Sequence, residues 1–134
     1  MTLAMLDTNI VSHFIRDDVP GLRAKLVAIP MHQVVISSVT QAELMYGLLK
    51  RGRPKPLEEK IQAFLTRVQV LAWTGEVSNV YAVVRTDCEA MGVTLAPFDM
   101  MIAAHAVAAG AVLVTGDKAF SHVKSGLKIE DWTS

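Results

Sequence analysis

The fold expected of this chain is decided by the stretch Leu3-Ala4-Met5-Leu6-Asp7-Thr8-Asn9 near its beginning. The four apolar residues predict a short buried strand, and Thr8 or Asn9 can begin a helix directly after it. Asp7 stands at the switch from strand to helix. A strand that leads directly into a helix is a βα unit, and repetition of this unit along a chain builds an α/β fold.

The rest of the chain repeats this order of apolar strand and amphipathic helix. Further strands are predicted at 34–36, 68–72, 112–115 and 127–129, and the main helices at 39–50, 76–91 and 99–110, with helical spacing also in 22–29 and 57–68. In the helix at 76–91, Val80, Val83, Val84 and Cys88 are expected on one side. Alternating strands and helices favour an α/β fold in three layers, α/β/α, with a central parallel sheet of four or five strands.

Composition indicates a folded chain without a strong charge. The 134 residues are 51% hydrophobic and 19% charged, which suits a single domain over 1–134. The 13 basic and 13 acidic residues cancel, so an RNA partner would require an uneven distribution of charge. A local basic excess exists at Lys50, Arg51, Arg53 and Lys55, for which a solvated helix end is the simpler interpretation.

The pattern predicts a cytoplasmic protein with no membrane span. Cys88 is the single cysteine, so no disulfide can form within the chain. The first residues lack the basic region and long apolar run of a signal peptide. The longest apolar stretch, 100–114, is interrupted by His105 and Gly110 and is too short to cross a bilayer.

Four acidic residues lie where the chain switches between apolar segments: Asp7, Glu43, Asp99 and Asp117. Asp7 and Asp117 follow strand ends, and ligands of open α/β sheets bind beyond the carboxyl ends of the strands. Acids beside apolar segments are costly without compensation, and converging carboxylates suit a hard divalent cation such as Mg²⁺ or Mn²⁺. Each acid also has a structural interpretation: a helix cap for Asp7 and Asp99, an exposed helix position for Glu43, and a turn for Asp117.

Other catalytic chemistries have weaker support. No Cys/His cluster has zinc-binding spacing, the glycines form no phosphate-binding loop, and no serine lies in a G-x-S-x-G context. His105, in an Ala-rich helix, is expected to be packed or to face a dimer partner rather than to bind a ligand.

Several segments together resemble one known family. They are Met5 to Ile10, Ile36 to Gly47, Pro97 to Ala106, Leu113 to Phe120 and Gly126 to Trp132. In order and spacing they resemble the motifs of PIN domains, and in particular those of the VapC toxins of type II toxin–antitoxin systems. The resemblance extends over nearly the whole chain.

The resemblance implies a PIN-like fold and a Mg²⁺-dependent or Mn²⁺-dependent endoribonuclease, a phosphodiester hydrolase that uses a metal-activated water. It implies a VapB-like antitoxin, a homodimer, and binding to promoter DNA only through the antitoxin. The chain resembles in particular the enterobacterial-type members that cut a tRNA in its anticodon loop, which implies an RNA substrate and specifically a tRNA.

The resemblance also assigns roles to individual residues. Asp7, Glu43 and Asp99 match the three strongest acidic positions, as metal ligands and catalytic residues. Asp117 matches the fourth, which varies in these toxins, and its neighbour Gly116 departs from the frequent Asn. Three polar neighbours are expected to orient the carboxylates: Thr8, Asn9 and Thr115.

Two other functions remain as alternatives. Asp7 at the end of a first strand also suits the nucleophile of an aspartyl phosphotransferase. Phosphatases of that kind carry a second Asp two positions later, where this chain has Asn9. The other alternative is a non-catalytic module that acts only by binding an antitoxin, which the neutral net charge mildly favours.

Overall fold

A computed structural model describes residues 2–133 of the chain. In these residues five strands form one sheet in the order β3-β2-β1-β4-β5, and every pairing is parallel. The strands are β1 (Ala4–Leu6), β2 (Val34–Ser37), β3 (Gln69–Leu71), β4 (Val112–Val114) and β5 (Lys128–Glu130). The predicted parallel α/β sheet is confirmed. Both ends of the expected domain, Met1 and Ser134, lie outside the described residues.

Helices cover both faces of this sheet and make the predicted three layers. They are α1 (Thr8–Arg16), α2 (Leu22–Val27), α3 (Ser38–Lys50), α4 (Lys55–Arg67), α5 (Gly75–Ala90) and α6 (Pro97–Ala109). Side chains alternate along β1, so Ala4 and Leu6 pack with α1, α2 and α4, while Met5 packs with α6 on the other face. Helix α5 lies outside α6 and contacts it through a second small core. Within residues 2–133, no helix has the length and apolarity needed to cross a membrane.

Local sequence signals explain where several helices begin and end. The side chains of Asp7, Ser37 and Thr74 each accept a backbone N–H in the first turn of α1, α3 and α5. Helix α6 ends at Gly110, which adopts the left-handed conformation with φ 65°, as expected for a glycine at this position.

One detail of the predicted helices is wrong. Helix α6 begins at Pro97 rather than at Asp99, because proline is well suited to the first position of a helix. Asp99 therefore lies inside the first turn and is not the cap. On α5, Val83 is 59% exposed, whereas Val84 and Cys88 are buried. Val83 precedes Val84 by one residue, about 100° around the helix, and so points away from α6.

The strand order brings the ends of β1 and β4 together at the centre of the sheet. Leu6 is opposite Val114, and the next N–H, that of Asp7, donates to the carbonyl of Val114 at 3.1 Å. The chain order reverses between β1 and β4, and the crevice at such a switch point is the usual ligand site of an open α/β sheet.

Candidate active site

Asp7 links the end of β1 to the start of α1 and is almost fully buried, with 3% of its surface exposed. One carboxylate oxygen, Oδ1, accepts the Ile10 N–H at 2.8 Å, and the Thr115 hydroxyl also donates to this carboxylate. Burial raises the pKa of Asp7, and the nearby charges of Asp117 and Glu43 raise it further, against the two hydrogen bonds. The predicted capping role is thus confirmed, and the same carboxylate lies beside other acids.

Glu43 projects from α3 toward the start of α1. The Thr8 hydroxyl donates to Glu43 Oε1 at 2.6 Å, and Thr40 Oγ1 lies 3.2 Å from the Thr8 hydroxyl oxygen. Thr40 is fully buried and lies one helical turn before Glu43 on α3. Its contact with the Thr8 hydroxyl restrains the position of the Thr8 side chain. The structure therefore places the Thr8 hydroxyl in direct contact with the Glu43 carboxylate.

Asp99 is the acid on which the other charges converge. It is partly buried in the first turn of α6, and its pKa is raised to about 6. Burial is the largest cause, and the charges of Asp7, Glu43 and Asp117 follow in that order. All three other acids therefore lie within electrostatic reach of Asp99, although the four acids come from four separate parts of the chain.

Asp117 is exposed and lies on the loop after β4. Its Oδ1 accepts the Ala119 N–H at 2.9 Å and caps the short 3₁₀ turn Lys118–His122, so the predicted turn role is also present. The Asp117 N–H donates to the Thr115 hydroxyl oxygen at 3.0 Å. Thr115 thus forms hydrogen bonds with the Asp7 carboxylate and with the backbone of Asp117.

Asn9 behaves differently from the two threonines. Its side chain is exposed and lines a shallow pocket with Gly116, Asp117 and Thr133. Among the hydrogen bonds within residues 2–133, none joins the Asn9 side chain to the four carboxylates. The structure therefore places Asn9 beside the acids without showing it orient them.

The donor chemistry of this group fits a hard divalent cation. The four acids offer only oxygen, and no ion pair between the described residues involves any of them. Their mutual repulsion is therefore uncompensated by a basic side chain. Within residues 2–133 no three His, Cys, Asp or Glu side chains already have the spacing to hold one ion. An ion would draw the carboxylates closer together, because it removes the repulsion that, after burial, raises the pKa values of Asp7 and Asp99.

Sequence reasoning missed a buried bridge between the helices that carry Asp99 and Glu43. His105 on α6 is 2% exposed, and its Nδ1 lies 2.7 Å from the Ser37 hydroxyl oxygen. The Ser37 oxygen also accepts the Val39 N–H at 3.0 Å, and the tautomer of the His105 ring decides which of Ser37 and His105 donates to the other. Burial lowers the pKa of His105, which favours the neutral ring. The only local signal for this bridge is a serine at a strand-to-helix junction. The prediction that His105 is packed is confirmed.

Stability of the metal-free protein should depend on pH through Asp99. Its folded-state pKa is about 6, against an ordinary value of 3.8, so the folded state holds this proton more tightly than the unfolded state. The resulting stabilisation is present in full below about pH 4 and is lost as the pH rises through about 6. Asp99→Asn removes this loss, so the variant should gain stability relative to the wild type between pH 4 and 6.

Urea denaturation in chelator at several pH values measures this difference. Asp87→Asn, at an exposed position on α5, is the matched control and should keep the wild-type profile. Parallel profiles for the wild type and Asp99→Asn would mean that the Asp99 carboxyl is not held in this repulsive environment.

Comparisons with known proteins identify the family. The PIN domain model matches residues 4–126. The chain is 33% identical to the tRNA(fMet)-specific endonuclease VapC of Shigella flexneri over 129 residues, 96% of this chain and 97% of that protein. It is 32% identical to ribonuclease VapC2 of Rickettsia felis, with 96% of each chain covered.

Solved structures give the same answer for the fold. The crystal structure of VapBC2 from Rickettsia felis bound to a promoter DNA fragment matches with a TM-score of 0.90 at 30% identity, covering 98% of this chain and 99% of that chain. DNA-bound VapBC from Salmonella typhimurium also gives a TM-score of 0.90, at 31% identity and the same coverage. The chain therefore belongs to the PIN domain family and, within it, to the VapC toxins of VapBC toxin–antitoxin systems.

Proposed function

We propose that this chain is a toxin that hydrolyses RNA at the Asp7, Glu43, Asp99 and Asp117 site with the help of Mg²⁺ or Mn²⁺. The observation that carries this proposal is the convergence of four acids from separate parts of the chain. Burial and the charges of Asp7, Glu43 and Asp117 together raise the pKa of Asp99 to about 6. A protein without a use for a cation has no reason to keep four mutually repelling carboxylates at the switch point of its sheet.

The residues of this site have different proposed roles. Asp7, Glu43 and Asp99 would bind the ion, and Asp117 would complete the site from its exposed loop. Thr8 holds the Glu43 carboxylate, and Thr115 donates to Asp7. When bound, the ion would polarise a phosphoryl oxygen and lower the pKa of a water molecule. The Ser37–His105 bridge keeps α3 and α6 in the relation that lets Glu43 and Asp99 act together.

A transfer RNA is the proposed substrate, cut in its anticodon loop. Support comes from the Shigella flexneri relative, which is named a tRNA(fMet)-specific endonuclease and is 33% identical over nearly the whole chain. The proposed partners are a VapB-like antitoxin, promoter DNA through that antitoxin, and a second copy of the chain. Two DNA-bound VapBC complexes, one of them with a promoter fragment, support the first two of these. The cytoplasm is the proposed location.

Sequencing RNA 5′ ends after brief expression tests the substrate. We expect new ends concentrated at one position in the anticodon loop of one or a few tRNAs, and none of these ends when the Asp99→Asn variant is expressed. Intact tRNAs together with ends distributed through messenger RNAs would contradict the proposed substrate.

The geometry of the site favours neither alternative function. A phosphotransferase needs an accessible nucleophile, whereas Asp7 is 3% exposed and accepts hydrogen bonds from Ile10 and Thr115. A module that only binds an antitoxin does not need the repulsion among the acids, which costs folding free energy.

A further inference from the structure

A cleft of mixed polarity leads away from Glu43 between α1, α3 and α4, and its apolar lining consists of Ile15, Leu44, Leu48, Leu57 and Ile61. Its walls include Thr8 and Glu43 near the acids, and Ser12, Arg16, Gly47 and Arg51 farther away. The proposed chemistry uses the end at Glu43, but it gives no role to the rest of the cleft. Of the basic segment that the sequence analysis identified, Arg51 lines the cleft.

Gly47 is the first feature that points to a ligand in this cleft. Glu43, Gly47 and Arg51 follow one another at intervals of four residues, so they lie along one face of α3 and its end. A Cβ atom built on Gly47 meets no heavy atom within 4 Å, and its φ is not positive. Neither packing nor backbone conformation requires glycine here, although glycine destabilises a helix interior relative to alanine. Its effect is to keep the surface between Glu43 and Arg51 open for close approach.

The two arginines of the cleft are the second feature. Arg51 is exposed, and its side chain makes no hydrogen bond or ion pair within residues 2–133. Arg16 is also exposed, and its guanidinium is held at 2.8 Å by Asp18. In a chain with 13 basic and 13 acidic residues, an arginine without an acidic partner beside a catalytic acid is a local positive charge available to a ligand.

We infer that this cleft binds the phosphodiester backbone of the RNA next to the bond that is cut. This inference rests on the proposed ribonuclease function. Arg51 binds a phosphate with its planar guanidinium, and the bare backbone at Gly47 lets the ribose-phosphate chain lie against α3. Arg16 lies on the α1 wall of the cleft, where Asp18 offsets its charge, so Arg51 provides the unpaired positive charge. Positive charge in the cleft thus attracts the RNA to the neighbouring acids, although the net charge of the chain is zero.

The test compares Arg51→Ala with Arg53→Ala. Both variants remove one arginine from the same turn, but Arg53 is outside the cleft walls and pairs with Glu58 at 2.7 Å. Binding of bulk tRNA is measured in the Asp99→Asn background over a range of salt concentrations. We expect Arg51→Ala to weaken binding about 5-fold to 10-fold and to lower the salt dependence by about one counterion, and Arg53→Ala to change both little.

Substitutions at Gly47 provide a second measurement that does not depend on charge. Gly47→Ala should fold normally and melt about 2 °C higher, because alanine is the better helix former and finds open space. Gly47→Met, which fills the cleft, should raise the KM for tRNA cleavage several-fold with a smaller change in kcat. Unchanged KM in a folded Gly47→Met variant would overturn the inference.

The outcomes separate this inference from the proposed function. Wild-type protein that cleaves tRNA, with equal affinities for the Arg51→Ala and Arg53→Ala variants, would overturn only the role of the cleft. Wild-type protein that cleaves no RNA would overturn the proposed function itself. If Arg51→Ala weakens binding of a co-expressed antitoxin but not of tRNA, the cleft belongs to a protein partner and the inference is wrong.

Discussion

Replacing Asp99 by Asn is expected to lower the kcat/KM of RNA cleavage by at least about 100-fold, the usual scale for removing one group that stabilises charge in a transition state. Asparagine keeps the shape of the side chain and removes the negative charge that would hold the ion. The fold should survive, because the Asp99 carboxylate is destabilised by burial and by three neighbouring acids. Loss of activity in a folded variant can then be assigned to the site.

Asp87→Asn is the control for this substitution. It makes the same chemical change at an exposed position on α5, outside the group of four acids, and should leave the rate within about twofold. Melting curves of both variants in chelator check that they are folded. Wild-type activity in Asp99→Asn would remove Asp99 from the catalytic site.

Divalent metal is expected to have the second large effect, on activity and on stability together. Excess chelator should abolish cleavage, and Mg²⁺ or Mn²⁺ should restore it. An ion that binds only the folded state stabilises it by about 2.7 kcal/mol at 100 times its Kd, which corresponds to a rise in Tm of about 10 °C for a chain of this size. The ion would relieve the repulsion that raises the pKa values of Asp7 and Asp99.

Calorimetry or thermal fluorescence with increasing metal measures the stabilisation. The shift should be much smaller in Asp99→Asn and unchanged in Asp87→Asn, which distinguishes binding at the site from weak binding to surface acids. A Tm that does not change up to tens of millimolar metal would contradict a metal site assembled in the free protein.

The sequence predicted the central part of the fold because its signals are local. Parallel strands with acids at their ends place Asp7 and Asp117 at one sheet edge, and the pairing of Leu6 with Val114 confirms that edge. The start of α6 was missed because the preference of Pro97 for the first helical position extends the helix two residues before Asp99.

Local sequence patterns could not predict that Glu43 and Asp99 lie close together. Their proximity depends on how α3 and α6 pack on the sheet, and the Ser37–His105 hydrogen bond that joins these helices spans 68 residues of chain. The hydrogen bond from Thr8 to Glu43, across 35 residues, is of the same kind. Only the resemblance to a family grouped these acids in advance, because side-chain contacts between distant segments leave no periodic signal in the sequence.

The chemistry of the cleaved RNA ends tests the central claim most directly. Purified chain, freed of antitoxin, is incubated with tRNA and Mg²⁺, and the ends are read by ligation and by mass spectrometry. Attack by water at the four-acid site predicts fragments with a 5′-phosphate and a 3′-hydroxyl, formed only when metal is present. Fragments with a 5′-hydroxyl and a 2′,3′-cyclic phosphate, or equal cleavage in excess chelator, would contradict metal-assisted hydrolysis at Asp7, Glu43, Asp99 and Asp117.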